Sequence, residues 1–130
     1  MNAMEYEIVG KHDKKYLKLD LGGRLIQTEQ DALTLVALCA ENDTNLLLIH
    51  GERLSGDFFR LRTGVAGAII QKFATYNVKA VAVLNKDGIK GKFKEFLAES
   101  NGGNVFRAYA GLDEAERWLL GGRSAIIGMR

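Results

Sequence analysis

The sequence predicts one α/β domain, a mixed sheet with flanking helices in the order ββαβαβαβα, and three observations predict it. Two runs, 46–49 and 78–84, are short, continuous and apolar, which suits parallel strands covered on both faces. Beyond Thr28, stretches of helical period alternate with such runs to the end of the domain. Ahead of them, Tyr6 to Leu21 reads as an antiparallel hairpin turning at Lys11–Lys14.

Each element has a local cause. In the hairpin's second strand Leu17, Leu19 and Leu21 share one face and Tyr16, Lys18 and Asp20 the other, so one buried face is expected. Gly22 and Gly23 end it. Thr28 is a helix N-cap with Glu29 and Asp31 in the first turn. Ala32, Leu33, Leu35, Val36, Cys39 and Ala40 then recur with helical period until 41–44 stops the helix. Val65, Ile69, Ile70 and Phe73 predict a second helix ending near Asn77. Phe93, Phe96 and Leu97 predict a third, stopped at 101–103. Residues 105–109 form a further strand. Asp113 is the expected cap region of a last helix that faces Ala115, Trp118 and Leu119 inward and stops at Gly121 and Gly122. Right-handed crossovers place parallel strands in one sheet after the hairpin.

The chain of 130 residues fits a single domain with a real core, spanning 4–122. Residues 1–3 read as a cloning remnant, and 123–130 as a tail that docks as an edge strand, reaches a neighbouring subunit or frays. Composition is that of an ordinary globular protein, 47% hydrophobic and 26% charged. A net charge of +2, from 18 basic and 16 acidic residues, is too small to argue for nucleic acid. The single cysteine, Cys39, excludes an intrachain disulfide and reads as a small buried hydrophobe. No apolar run is long enough for a membrane span, and 1–9 lacks a signal-peptide pattern. The expectation is a cytoplasmic protein of bacterial type. No proline occurs, so glycine does the punctuation.

The candidate chemistry gathers between His50 and Gly67, where a buried strand hands over to a helix. That is the edge at which α/β proteins place ligands. His50 ends the strand and could donate, accept or titrate near neutral pH. His12 lies in the hairpin turn and reads as solvated. Ser55, with Asp57, reads as a helix cap and is also the phosphoacceptor candidate; it lacks the Gly-x-Ser-x-Gly elbow of a nucleophile. Thr63, Gly64 and Gly67 put small groups three and four apart, so another backbone could approach closely. A phosphate cradle is the alternative there, without the P-loop ending or the dinucleotide fingerprint. Arg53, Arg60 and Arg62 read as a solvated face or as an anion clamp. Lys86, Lys90, Lys92 and Lys94 lack interleaved surface aromatics for base stacking. No carboxylate pair suggests acid/base work, and no ligand cluster suggests a metal.

The run from His50 through Ala80, with Leu-Ser-Gly-Asp-Phe-Phe-Arg-Leu-Arg-Thr-Gly-Val-Ala-Gly at its centre, resembles a small bacterial family known as domain of unknown function 4180. Thr28-Glu-Gln-Asp-Ala-Leu, Phe93-Lys-Glu-Phe-Leu-Ala-Glu-Ser-Asn and Leu112-Asp-Glu-Ala-Glu-Arg-Trp-Leu support the likeness, which covers about Ile8 to Leu120. That resemblance implies a fold and no assigned activity. The element order is also similar to the STAS domain of anti-sigma-factor antagonists, in which a serine or threonine at the strand-to-helix turn is phosphorylated to switch partner binding. Leu54-Ser-Gly56 stands at the corresponding place, without the preceding aspartate and with a longer turn.

The resulting expectation is a non-enzymatic, STAS-like regulatory module that binds a protein partner or a small anionic ligand along His50–Thr63. It needs no cofactor, nucleic acid or membrane. The alternatives are a small hydrolase or transferase using His50 with Ser55 or Thr63, and a structural homodimer joined through the Gly64/Gly67 face or the tail.

Overall fold

The structure, a computed structural model, describes residues 4–121. β1 (Tyr6–Lys11) and β2 (Lys14–Leu19) pair antiparallel across His12 and Asp13, which both take left-handed φ, 53° and 65°. Two successive left-handed residues make the turn whose twist matches that of a hairpin. After β2 come α1 (Glu29–Glu41), β3 (Leu46–His50), α2 (Val65–Thr75), β4 (Lys79–Val83), α3 (Gly91–Ser100), β5 (Phe106–Tyr109) and α4 (Leu112–Leu119). This is the element order expected, and β2 to β5 are parallel. Residues 123–130, read as a tail, and residues 1–3, read as a remnant, lie outside the described residues.

The sheet order is β1-β2-β3-β4-β5. Each crossover therefore steps one strand in the same direction. With a common hand, that puts α1, α2 and α3 on one face. Their core joins Leu17, Leu47, Ile49 and Phe106 of the sheet to Leu35, Ile69, Phe73 and Phe93 of the helices. α4 turns back onto the opposite face, where Ala115 and Leu119 meet Tyr16, Leu48 and Val81.

That second core corrects the one-sided hairpin. Tyr16 is only 2% exposed, and its hydroxyl donates to Glu116 Oε2 at 2.8 Å. Lys11 Nζ donates to the other oxygen of the same carboxylate at 2.7 Å. These bonds hold the Glu116 carboxyl below its ordinary range, with Lys11 the larger influence. The hairpin is thus pinned to α4 by a group a hundred residues away. Two lysines close the other end of α4: Lys14 and Lys79 donate to the carbonyls of Leu120 and Trp118, each at 2.9 Å. Cations belong at a helix C-terminus, where carbonyls lack partners.

Capping follows the sequence at one helix and departs from it at another. Thr28 and Asp31 form a reciprocal capping box at α1. At α4 the N-cap is Gly111, and Asp113 lies inside the first turn, where its charge faces the positive end of the helix. α2 ends at Thr75, with Asn77 in left-handed conformation at φ 58°. Cys39 is buried as expected, and burial pushes its thiol up to about 11.

Candidate functional site

The link from β3 to α2 is longer and more folded than a simple turn. It runs through three 3-10 turns, Gly51–Arg53, Gly56–Phe59 and Leu61–Thr63. Gly51 is required at its start, since a Cβ there would lie 2.7 Å from Leu84 Cβ. Ile26 and Leu54 form a parallel bridge that stitches the link to the β2–α1 connection, with Ser55 N donating to Ile26 O at 3.1 Å. Phe58 plunges into the core against Phe59, Phe93 and Phe106, at centroid distances of 5.5, 6.0 and 5.9 Å.

Several residues that looked chemical in the sequence hold this link in shape. Arg53 is 1% exposed, and its guanidinium donates to the carbonyls of Arg24 and Asp20. It clamps the β2–α1 connection from inside, so it is not part of an anion clamp with its neighbours. Burial lowers its pKa, opposed by the charges of Asp20 and Glu5. Thr63 Oγ1 lies 2.7 and 2.8 Å from the carbonyls of Asp57 and Arg60 and accepts from Val65 N. Arg60 is exposed and pairs with Asp57 at 3.3 Å. Arg62 is exposed. Gly64 supplies the left-handed residue, φ 77°, from which α2 begins. A Cβ at Gly64 or Gly67 would meet nothing within 4 Å, so the close backbone approach expected at these glycines is not made by the described residues.

Ser55 differs from both roles given to it. It stands at the N-cap position of the second 3-10 turn, yet its side chain caps nothing. It is 5% exposed, and Oγ has no hydrogen-bond partner among the described residues. The hydroxyl is closed off from solvent in this conformation of the link. Asp57, also read as a cap, lies inside that turn.

His50 is where the edge remains chemically open. It ends β3 half-buried, in register with Val83 of β4, which in turn pairs with Tyr109 of β5. Residues just past these positions converge on a cleft of about 880 Å³. Leu21, Phe59, Leu84 and Ile89 give it apolar walls, while His50, Glu52 and Asn85 supply polar groups. The His50 ring makes no hydrogen bond among the described residues. Burial holds its pKa below the ordinary histidine value, with Lys18 and Arg53 acting the same way and Glu52 opposing. A neutral imidazole presents one donor and one acceptor nitrogen. Sequence reasoning passed over Leu21, Asn85 and Ile89. Only the strand register brings them beside His50, and the one sequence clue was that 85–88 follows a buried strand.

Chemically, the arrangement suits binding. Neither Ser55 nor Thr63 is bonded to His50, so no nucleophile–base pair is assembled. No group of three or more His, Cys, Asp or Glu residues could hold a metal among the described residues. No helix among them is long and apolar enough to cross a membrane. A family model described as Domain of unknown function (DUF4180) matches residues 11–119. No curated protein matches the chain.

Proposed function

The chain belongs to the Domain of unknown function (DUF4180) family, and from that premise we propose that it is a non-enzymatic binding module for a small organic anion. The ligand lies in the cleft past the ends of β3, β4 and β5, its apolar body against Leu84 and Ile89 and its polar end at His50. One observation carries this reading: a half-buried imidazole with no internal hydrogen bond opens onto a largely apolar cleft. Concave sites with apolar walls and a few convergent polar groups are where small molecules bind. Two positive charges, Lys18 and Arg53, act on His50 against the one carboxylate of Glu52, a balance that favours an anion there. Binding of such a ligand would couple to whatever partner reads this edge, which is the regulatory, STAS-like form of the same proposal. Phosphorylation of Ser55 would require the link to open first, and would then add charge beside Arg53 and Arg60.

Native mass spectrometry of protein purified gently from its own host tests this. A co-purifying anion that is lost from His50→Ala, with the fold intact by circular dichroism, is the expected result. A clean apo mass, with no change in the His50 ring signals on titration with short carboxylates and phosphate esters, would overturn it. A second protein held at this edge would favour the partner-binding reading.

A further inference from the structure

The two margins of the sheet are built differently. On β5, residues 105 and 109 bond toward β4, so Phe106 and Ala108 turn their backbone groups outward. Three of those four groups are taken: Ser100 Oγ donates to Phe106 O at 2.6 Å, Asn101 Nδ2 donates to Ala108 O at 3.0 Å, and Ala108 N donates to Asn101 Oδ1 at 2.9 Å. On β1, Asp20 N donates to Glu5 O, which fixes the phase of the ladder. Tyr6, Ile8 and Gly10 therefore direct their N–H and C=O groups away from β2, and nothing among the described residues bonds them. An uncovered strand edge is a template for another strand.

We propose that the β1 edge is the docking surface for a second copy of this chain, pairing antiparallel about a two-fold axis at Ile8. The strand is complementary to itself in one register. Glu5 and Glu7 stand at its start and Lys11 at its end. Centring the pair on Ile8 sets Glu5 opposite Lys11 of the second copy. It also opposes Tyr6 to Gly10, the pairing in which an aromatic ring covers an edge glycine. All three outward residues of each β1 then exchange hydrogen bonds. Centring on Glu7 would face two carboxylates directly, which is destabilising. Centring on Val9 would leave Tyr6 unpaired. Ile8, 37% exposed and the large hydrophobic residue of β1 that the fold leaves exposed, becomes the central cross-strand contact. The product is a continuous ten-stranded sheet, and the cleft at His50 takes no part in it.

Sedimentation equilibrium of the full chain, with amide exchange read at Ile8, tests the proposal. The expected result is twice the 14.3 kDa mass of one chain, with the Ile8 amide protected. Ile8→Lys, which keeps every β1–β2 hydrogen bond, is expected to abolish the dimer without lowering the thermal midpoint extrapolated to low concentration. Ile8→Cys is expected to form a disulfide between copies under mild oxidation, since directly opposed residues sit within bridging distance. Cys39 is buried and does not compete. A monomer with a fast-exchanging Ile8 amide would overturn the proposal. So would a monomer with that amide protected, which would mean that the chain covers its own edge, and so would a dimer indifferent to Ile8→Lys.

Discussion

Both ends of the sheet carry a cleft, and the two differ in what their polar groups are doing. The N-terminal end has about 640 Å³ lined by the exposed residues Asp13, Lys15 and Asp43 and by a group of four, Lys14, Thr44, Asn45 and Lys79. All four are committed to backbone: the lysines to α4, Thr44 Oγ1 to Lys15 O at 2.7 Å, and Asn45 Nδ2 to Asn77 O at 2.9 Å. Lys79 also lies 4.5 Å from the centroid of the Trp118 ring. In the C-terminal cleft Asn85 Oδ1 accepts from Asp87 N at 2.9 Å, while the His50 ring holds no bond among the described residues. The volumes are of the same order, and the difference lies in the partly buried groups: Lys79 and Thr44 are bonded to backbone, His50 is not. A concavity pinned by side chains bonded to backbone serves as a joint, and one with a half-buried imidazole left unbonded is a place for something else to bind.

The sharpest break in that comparison is Arg53→Ala, because the C-terminal end is held by this one buried side chain. Losing it strands the carbonyls of Arg24 and Asp20 in the interior and leaves a void, so urea denaturation should show a loss of about 3 kcal/mol. Lys79→Met at the opposite end keeps the stem and removes only the bond to Trp118 and the cation over its ring. The same measurement should find about 1 kcal/mol. Ser55→Ala should go the other way. Its hydroxyl is buried without a partner, so removal is expected to be neutral or stabilising by up to about 1 kcal/mol in the thermal midpoint. A marked loss there would mean that Ser55 is bonded after all.

The smallest effect is in pH, and it separates the two halves of the molecule. His50 has its pKa lowered in the folded chain, so the unfolded chain binds the proton more readily. Stability contributed by neutral His50 is present above the ordinary histidine value and declines as pH falls below it toward the folded value. Glu116 is also lowered, so its contribution is present above the ordinary carboxylate value and is lost only as pH falls through the folded one. Denaturation midpoints against pH should therefore show two declines on acidification, and His50→Gln should remove the upper one alone.

What was legible in the sequence was local. The two apolar runs, the Thr28 capping box and the buried Cys39 each depend on residues within one turn or strand of themselves. What was hidden was long-range. Tyr16 looked solvent-facing because its partner, Glu116, is brought over it only when α4 folds back across the sheet. Arg53 looked like a surface charge because its acceptors lie about thirty residues earlier and are backbone carbonyls, which no side-chain pattern advertises. Ser55 and Asp57 followed helix-cap chemistry in a segment that forms 3-10 turns. The position of His50 at a strand end was readable, while the walls of its cleft come from loops after three different strands and become neighbours only through register.

The Asn101 side chain has a bearing beyond the domain. By presenting an amide oxygen and an amide nitrogen to Ala108, it imitates the next strand of the sheet and occupies the place that strand would take. A sheet closed in this way at one margin has a single growing end. Two molecules joined at their free margins leave only blocked ends outside, so association stops at two and cannot propagate into a fibre. In the dimer proposed above, Asn101 would act as a chain terminator, and a substitution there is expected to lower solubility before it lowers stability, as light scattering against thermal midpoint would show.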